Sequence, residues 1–496
     1  MSKIMSPAEG CEAVSTVVYF IQKGSRSSAY ILFDVCGVAK GLIAMLSSRD
    51  QILVSAVDKY RDLIVEMEKT LWACPEAGFK EWKTTRILRE AYEKLGYSVY
   101  APEDIPGFYV DIDTGRPGPK IMFCGELDAL RNPDHPDNVD GYVHACGHHA
   151  QCCGVLGLAA ALTEPGVLDG LCGSIRLMAI PAEEGDRTGF RQGLIKQGTI
   201  RFESGKREFM SRGYLDGVDI GCMLHTNDRD PADFSCDTLG SVGVMTKTIR
   251  FFGTTVAHTS VSYQAVNSLS AATLAVQAIN TLYETFRSED CVMIAYSFDD
   301  NALGESGLTI RVKGSSMKAM ADASRKINRA AFAAAAAVGA TVKISNGIGS
   351  YAPMRSDPEL LSVMKSCMED LVGKEKLDFR EVVNKGCTDM GDVAHVIPCI
   401  HPFACGAYGT VHSSVFRIAD LDRACLNAAK VQLMLADRLL SDNGRRAKTV
   451  MEKFVPVASS FEEHLANVEK TCVTVESTLD YSEDGEECAA TMHRVQ

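Results

Sequence analysis

The sequence predicts an α/β fold: an open sheet flanked by helices, with a smaller α+β domain set into it. Three observations predict this. Apolar runs at residues 120–124, 174–180 and 218–224 each end on polar or charged residues, the layout of an open sheet whose ligands lie beyond the carboxyl ends of its strands. From residue 245 to 344 the pattern becomes strand, helix, strand, helix, strand, which suggests a compact inserted unit. The length, 496 residues, allows more than one domain and a core of substantial size.

The elements follow in chain order. Residues 1–50 carry no usable motif. Residues 51–73 read as a helix, with Leu53, Val57, Tyr60, Ile64 and Met67 at helical spacing, and the pattern breaks at Cys74-Pro75-Glu76-Ala77-Gly78. A second helix spans 84–95 and stops at Gly96. The 120–124 strand leads into Gly125-Glu126-Leu127-Asp128-Ala129-Leu130, and the prolines at 133 and 136 mark a loop. Val143-His144-Ala145-Cys146-Gly147-His148-His149-Ala150-Gln151 opens a helix rich in Ala, Gly and Leu that ends near 162. The 174–180 strand ends at Pro181-Ala182-Glu183-Glu184-Gly185, and the 218–224 strand at His225. In the inserted part, 245–252, 308–312 and 340–344 read as strands and 267–283 and 319–338 as helices. Helices at 358–371 and 420–440 bracket a motif-rich segment, 386–412. Beyond 441 no further motif appears, and 483–487 reads as a solvated acidic tail.

Composition narrows the function classes. Hydrophobic residues are 46% and charged residues 23%, ordinary globular usage. The formal net charge of −13 is a poor match to nucleic acid or an anionic membrane, so neither is an expected partner. The apolar stretch at 30–47 is interrupted by Asp34 and Lys40, which argues against a membrane span. The N-terminus lacks a basic segment running into an apolar core. The 18 cysteines are therefore expected as small buried hydrophobes in a reducing, cytoplasmic setting. Cys152-Cys153 makes a poor redox pair, because adjacent cysteines strain a disulfide. Close packing of Cys152, Cys153, Gly154 and Gly157 is the simpler reading.

Histidine, cysteine and carboxylate residues gather at the strand ends. Cys146 and His148 can face one cation if the backbone bends tightly, which Gly147 allows. In Glu183-Glu184 a bent turn lets one carboxylate hold a metal while the other faces the open coordination position. His225 and His412 add imidazoles, and Asp128 reads as a ligand or as a group that orients an imidazole. Singly, each has a plainer reading as a core histidine, a buried thiol or a solvated acid pair. Together they supply N, S and O donors from several strand ends plus one free carboxylate, the composition of a hydrolytic metal site.

With these residues in place, the chain resembles the zinc-type metallopeptidase and aminoacylase family, in its amidohydrolase branch, which includes auxin-conjugate, hippurate and aminobenzoyl-glutamate hydrolases. The matching segments are Cys74-Pro75-Glu76-Ala77-Gly78-Phe79, Gly125 to Leu130, His144-Ala-Cys-Gly-His148, Pro181-Ala-Glu-Glu184, Leu224-His225, Phe252-Gly253 with Ala257-His258 and Asn267, Thr388-Asp389-Met-Gly-Asp392, Ile400-His401-Pro402 and His412-Ser413. They span roughly residues 51 to 440.

The resemblance implies a metallopeptidase-like catalytic domain, with a mixed sheet flanked by helices, at 51–243 and 355–440. It implies a lid/dimerisation domain at 244–354, between an N-terminal extension (1–50) and a C-terminal extension with an acidic tail (441–496). It implies two divalent ions per chain, Zn²⁺ or Mn²⁺, held by Cys146, His148, Glu184, His225 and His412, with Glu183 as general base and Asp128 beside the ligands. His258 matches a lid histidine that stabilises the oxyanion, often from the partner of a homodimer formed through the lid. Asn301 and Arg311 are the nearest match to a substrate-carboxylate clamp. The implied activity is cleavage of an N-acyl amino acid or aminobenzoyl-glutamate-like amide. The alternatives are a cytosolic dipeptidase or aminopeptidase and an inactive metal-binding homologue. Two departures stand out: His149 where the family usually has Asp, and Glu126 where Asp is common.

Overall fold

The computed structural model describes residues 46–185, 189–255, 259–299, 304–347, 349–481 and 488–495. His258, Asn301, the acidic 483–487 stretch and most of the N-terminal extension lie outside the described residues.

The larger body is built on a five-stranded sheet in the order Phe108–Asp113, Ser174–Ile180, Lys120–Glu126, Ile220–Met223, Cys399–Ile400. Only the first pair is antiparallel, so the sheet is mixed. Lys120–Glu126 and Ser174–Ile180 are buried along almost their whole length, as central strands covered on both faces must be. The edge strand Phe108–Asp113 alternates instead, with Phe108, Val110 and Ile112 turned inward.

Helix His148–Ala161 is buried at every position and packs against Arg61–Trp72 and Asn427–Leu440. Small residues make this approach fit: a Cβ on Gly157 would lie 2.6 Å from Ile64 Cδ1 and 2.9 Å from Ala429 Cβ. The single helix expected at 51–73 is two, Ser48–Asp58 and Arg61–Trp72. Leu53, Val57 and Ile64 all stay buried across the break, so the apolar periodicity runs on and hides it.

The inserted unit has its own sheet and core. Gly243–Phe252 lies between Glu305–Gly314 and Thr341–Asn346, and Met293–Phe298 pairs outside Glu305–Gly314. Helices Ser268–Asn280 and Met317–Ala337 bury Ala271, Ala275, Ala323 and Ile327 with Ile249, Phe251, Leu308 and Ile310. Where the chain enters and leaves this unit, Ser241 bridges Met354 and Val244 bridges Tyr351.

The segment beyond 440 is structured. Helix Phe461–Thr471 seats Leu465 and Val468 in the core of the larger body. Thr474–Tyr481 then pairs antiparallel with Thr341–Asn346, and Cys488–Val495 pairs outside it, extending the inserted sheet to six strands. The chain thus crosses between the two bodies a third time. No helix among the described residues is long and apolar enough to cross a membrane.

Candidate metal centre

Four strand ends and one loop converge on a cavity of about 500 Å³ between the two bodies. After Lys120–Glu126 the chain places Asp128 wholly inside. The Asp128 carbonyl oxygen and Oδ1 lie 2.9 and 3.1 Å from His148 Nδ1, and Oδ2 accepts the Glu184 N–H at 2.8 Å. With Nδ1 donating to Asp128, the neutral form of His148 presents its lone pair at Nε2. That atom is buried, 3.2 Å from Glu126 Oε2, and has no hydrogen-bond partner among the described residues.

Cys146 precedes Gly147, whose φ of 89° turns the chain into the His148 helix. A Cβ there would fall 2.1 Å from Thr226 Oγ1, so glycine is required on both counts. The turn puts Cys146 Sγ 3.5 Å from His225 Nε2. His412, at φ 69°, is pinned by its N–H to the Ala145 carbonyl, 2.7 Å, and its Nε2 lies 3.0 Å from Glu184 Oε1.

The turn carrying Glu183 and Glu184 is strained, with Ala182 at φ 60°, and its backbone groups are held from several sides. The Ala182 N–H donates to Glu81 Oε1 at 2.8 Å, and its carbonyl accepts from Gly205 N–H and Arg191 Nη1. The Glu183 carbonyl accepts the Tyr351 hydroxyl, and the Glu184 N–H is bound by Asp128. Glu184 Oε1 lies 3.0 Å from His412 Nε2, and Glu183 Oε2 lies 4.0 Å from His148 Nε2.

Three donor groups result, Cys146/His148/His225, Cys146/Glu184/His412 and His148/Glu183/Glu184, each with its ligand atoms within 4.8 Å of one another. Cys146 belongs to the first two, and the last joins Glu183 to a ligand of each. The mixed S, N and O donors and the orphaned His148 Nε2 fit a divalent cation of the zinc type. A fourth group, Glu126/Glu183/Asp389, already has its cation: Lys206 Nζ lies 2.5 Å from both Glu126 Oε1 and Asp389 Oδ1, all wholly buried.

The electrostatics follow from this crowding. Burial opposes ionisation of the Cys146 thiol, but His148 and His225 outweigh it and hold its pKa at about 6. Burial likewise opposes the Glu184 carboxylate, and His412 and His148 bring it to about 2. Hydrogen bonds to Cys146 and Glu184 raise His412 to about 10. Glu183 is pushed well above the carboxylate range by burial and by Glu126, Glu184 and Asp389. Burial, then the charge of His225, brings His401, in the same cavity, to about 3.

His149 turns away from the donors. Its Nε2 lies 3.2 Å from Glu68 Oε1 and its ring packs against Trp72 and His144, so it ties two helices together. Arg311 lines the cavity beside Lys313, on the face of Glu305–Gly314 that looks toward Gly185, and has no ion-pair partner among the described residues. The sequence reading did not single out Lys206, Glu81, Tyr351 or His401 for the site. His401 alone carried a signal, as part of Ile400-His401-Pro402.

Comparison with known proteins agrees with this architecture. The chain is 24% identical over 373 residues to the Xaa-Arg dipeptidase of Homo sapiens, covering 70% of this chain and 77% of that protein. It is 33% identical over 173 residues to IAA-amino acid hydrolase ILR1-like 4 of Arabidopsis thaliana, covering 34% and 35%. Among solved structures, a putative aminohydrolase from methicillin-resistant Staphylococcus aureus superposes with a TM-score of 0.66 at 20% identity, over 79% of this chain and all of that one. The Bacillus subtilis YXEP protein, described as a dinuclear metal-binding peptidase from the M20 family, gives 0.59 at 18%, over 77% and 99%. Residues 122–437 match the model of peptidase family M20/M25/M40, and the chain belongs to that family of hydrolases acting on amide and peptide bonds.

Proposed function

We propose that this protein is a metal-dependent amidohydrolase that cleaves the amide of an N-acyl amino acid or an aminobenzoyl-glutamate-like conjugate. The observation that carries the reading is the pair of donor groups sharing Cys146, with the Glu183 carboxylate beside them. Cys146, His148 and His225 would hold one divalent ion and Cys146, Glu184 and His412 a second, zinc or manganese. Such ions, when bound, polarise a carbonyl and acidify a water.

The chain's own residues do the rest. Glu183 takes the proton of the attacking water and returns it to the leaving nitrogen, which must depart as an amine. Asp128 fixes the tautomer of His148 and the direction of Glu184 through its two oxygens. Arg311, unpaired among the described residues over Gly185, is placed to take the substrate carboxylate. His258 keeps its proposed role at the oxyanion, with Asn301 as the other half of the clamp.

Glu183→Gln tests this. Retained shape with metal content unchanged and turnover of an N-acyl amino acid panel reduced at least ~100-fold is expected. Full turnover in that variant would remove Glu183 from the mechanism. A dipeptidase is the second reading, favoured by the match to an Xaa-Arg dipeptidase over most of the chain; it requires a substrate with a free α-amine, and the amidohydrolase accepts a blocked one.

The protein is further proposed to form a homodimer through the lid. Met293–Phe298 leaves one edge of the lid sheet unpaired among the described residues, with Tyr296 and Phe298 exposed. Sedimentation of the purified chain reads this directly. The cysteines with described side chains are free thiols, which suits the proposed cytoplasmic setting.

A further inference from the structure

We infer that Tyr351 is a positioning residue that ties the seat of the lid to the turn carrying Glu183. The Ala182 N–H, the Ala182 carbonyl and the Glu184 N–H are bound by Glu81, by Gly205 with Arg191, and by Asp128. All of these belong to the larger body. The Glu183 carbonyl is bound by the Tyr351 hydroxyl, and Tyr351 belongs to the crossing between the bodies.

Its backbone is fixed to the first lid strand. The Val244 N–H donates to the Tyr351 carbonyl at 3.0 Å, and the Tyr351 N–H to the Val244 carbonyl at 2.8 Å. Gly243 keeps the two chains close: a Cβ there would lie 2.7 Å from the Tyr351 oxygen. The ring is buried. A displacement of the lid at this crossing therefore carries the hydroxyl with it and pulls on the residue whose carboxylate faces His148. Ala182 sits at positive φ, so the turn has no relaxed state of its own and needs each of its ties.

The inference rests on the proposed role of Glu183 for its catalytic consequence, but its structural half stands apart, and the test separates the two. Tyr351→Phe keeps the ring and both backbone bonds to Val244 and removes one hydroxyl. In the full-length, metal-loaded protein, kcat is expected to fall about tenfold with KM within about twofold, because misplacing a proton acceptor costs rate more than affinity. Metal content stays at the wild-type value. By hydrogen exchange, amides in the peptide covering 180–185 are expected to open at least about tenfold faster, while the Val244–Tyr351 pair keeps its protection.

Unchanged exchange at 180–185 overturns the inference whatever the activity. Faster exchange with unchanged kcat overturns it too, because the tie then has no consequence for the base. A fall in thermal stability with unchanged kcat and KM would mark the hydroxyl as structural only. Failure of the Glu183 assignment is read independently, from Glu183→Gln.

Discussion

Lys206→Met is the perturbation whose cost the structure allows to be worked out. Lys206 Nζ is 2.5 Å from a Glu126 oxygen and 2.5 Å from an Asp389 oxygen, and all three side chains are wholly buried. Methionine conserves most of the volume and removes the charge. Two buried carboxylates then remain, with Gln151 and His148 beside Glu126 and with Ser204 and the Lys206 N–H on Asp389, but without the ammonium between them. Removing one partner from a buried ionic cluster costs about 3–5 kcal/mol, most of it the penalty of the charge left behind. Lys206→Met combined with Glu126→Gln and Asp389→Asn is therefore expected to be more stable than Lys206→Met alone, because neutral amides leave no stranded charge. The only two tryptophans, Trp72 and Trp82, both lie in the larger body. Their fluorescence in a denaturant titration, with divalent ions chelated throughout, reports unfolding of the body that holds the cluster. A single-variant loss under ~1 kcal/mol, or a triple variant less stable than the single one, refutes the account.

Other expectations follow from the same geometry. Cys146→Ala removes the donor common to both groups, so elemental analysis should find bound metal falling below one ion per chain and turnover lost with it. Asp392 accepts from Arg207 and His464, each at 2.8 Å; burial opposes its ionisation, but these partners bring its pKa to about 2 from an ordinary 3.8. A lowered carboxylate stabilises the fold above its ordinary pKa and loses that contribution as pH falls, here about 2 kcal/mol between pH 4 and pH 2. Unfolding curves of Asp392→Asn should lack this slope. Arg311→Ala should raise KM for carboxylate-bearing amides about tenfold and leave their amidated analogues within about twofold.

The parts of this fold legible in the sequence are those set by local pattern. The runs at 174–180 and 120–124 are buried strands because nearly every residue in them is apolar, and the donors follow directly at their ends. The helix at Pro358–Val372 and the long helix Met317–Ala337 show their period plainly. What stayed hidden is set by partners far away in the chain. Nothing in Ser204-Gly205-Lys206 marks a buried ammonium, and lysine is among the residues least often buried; its ion pairs are 80 and 183 residues distant. Thr474–Tyr481 alternates only weakly, and it is a strand because Thr341–Asn346 offers it an edge. His149 read as a departure within a ligand motif, and only the fold turns it toward Glu68.

The division of positive charge within the site makes one last expectation. Glu126, Glu183 and Asp389 could gather around a cation, and Lys206 supplies one covalently. The two groups around Cys146 have no lysine or arginine in that place among the described residues; their histidines face the thiol and Glu184 instead. A chelator can compete for an ion held by Cys146, His148, Glu184, His225 and His412, but it cannot take an ammonium that belongs to the chain. Chelation should therefore abolish turnover while Trp72 and Trp82 fluorescence and the cooperative unfolding of the larger body persist, and adding zinc or manganese should restore activity without refolding. In Lys206→Met the same treatment meets a body that has lost its permanent cation, and removal of metal should unfold it at a denaturant concentration well below that of the chelated parent. Equal sensitivity of the two proteins to chelation would mean that Lys206 does not hold this part of the site together.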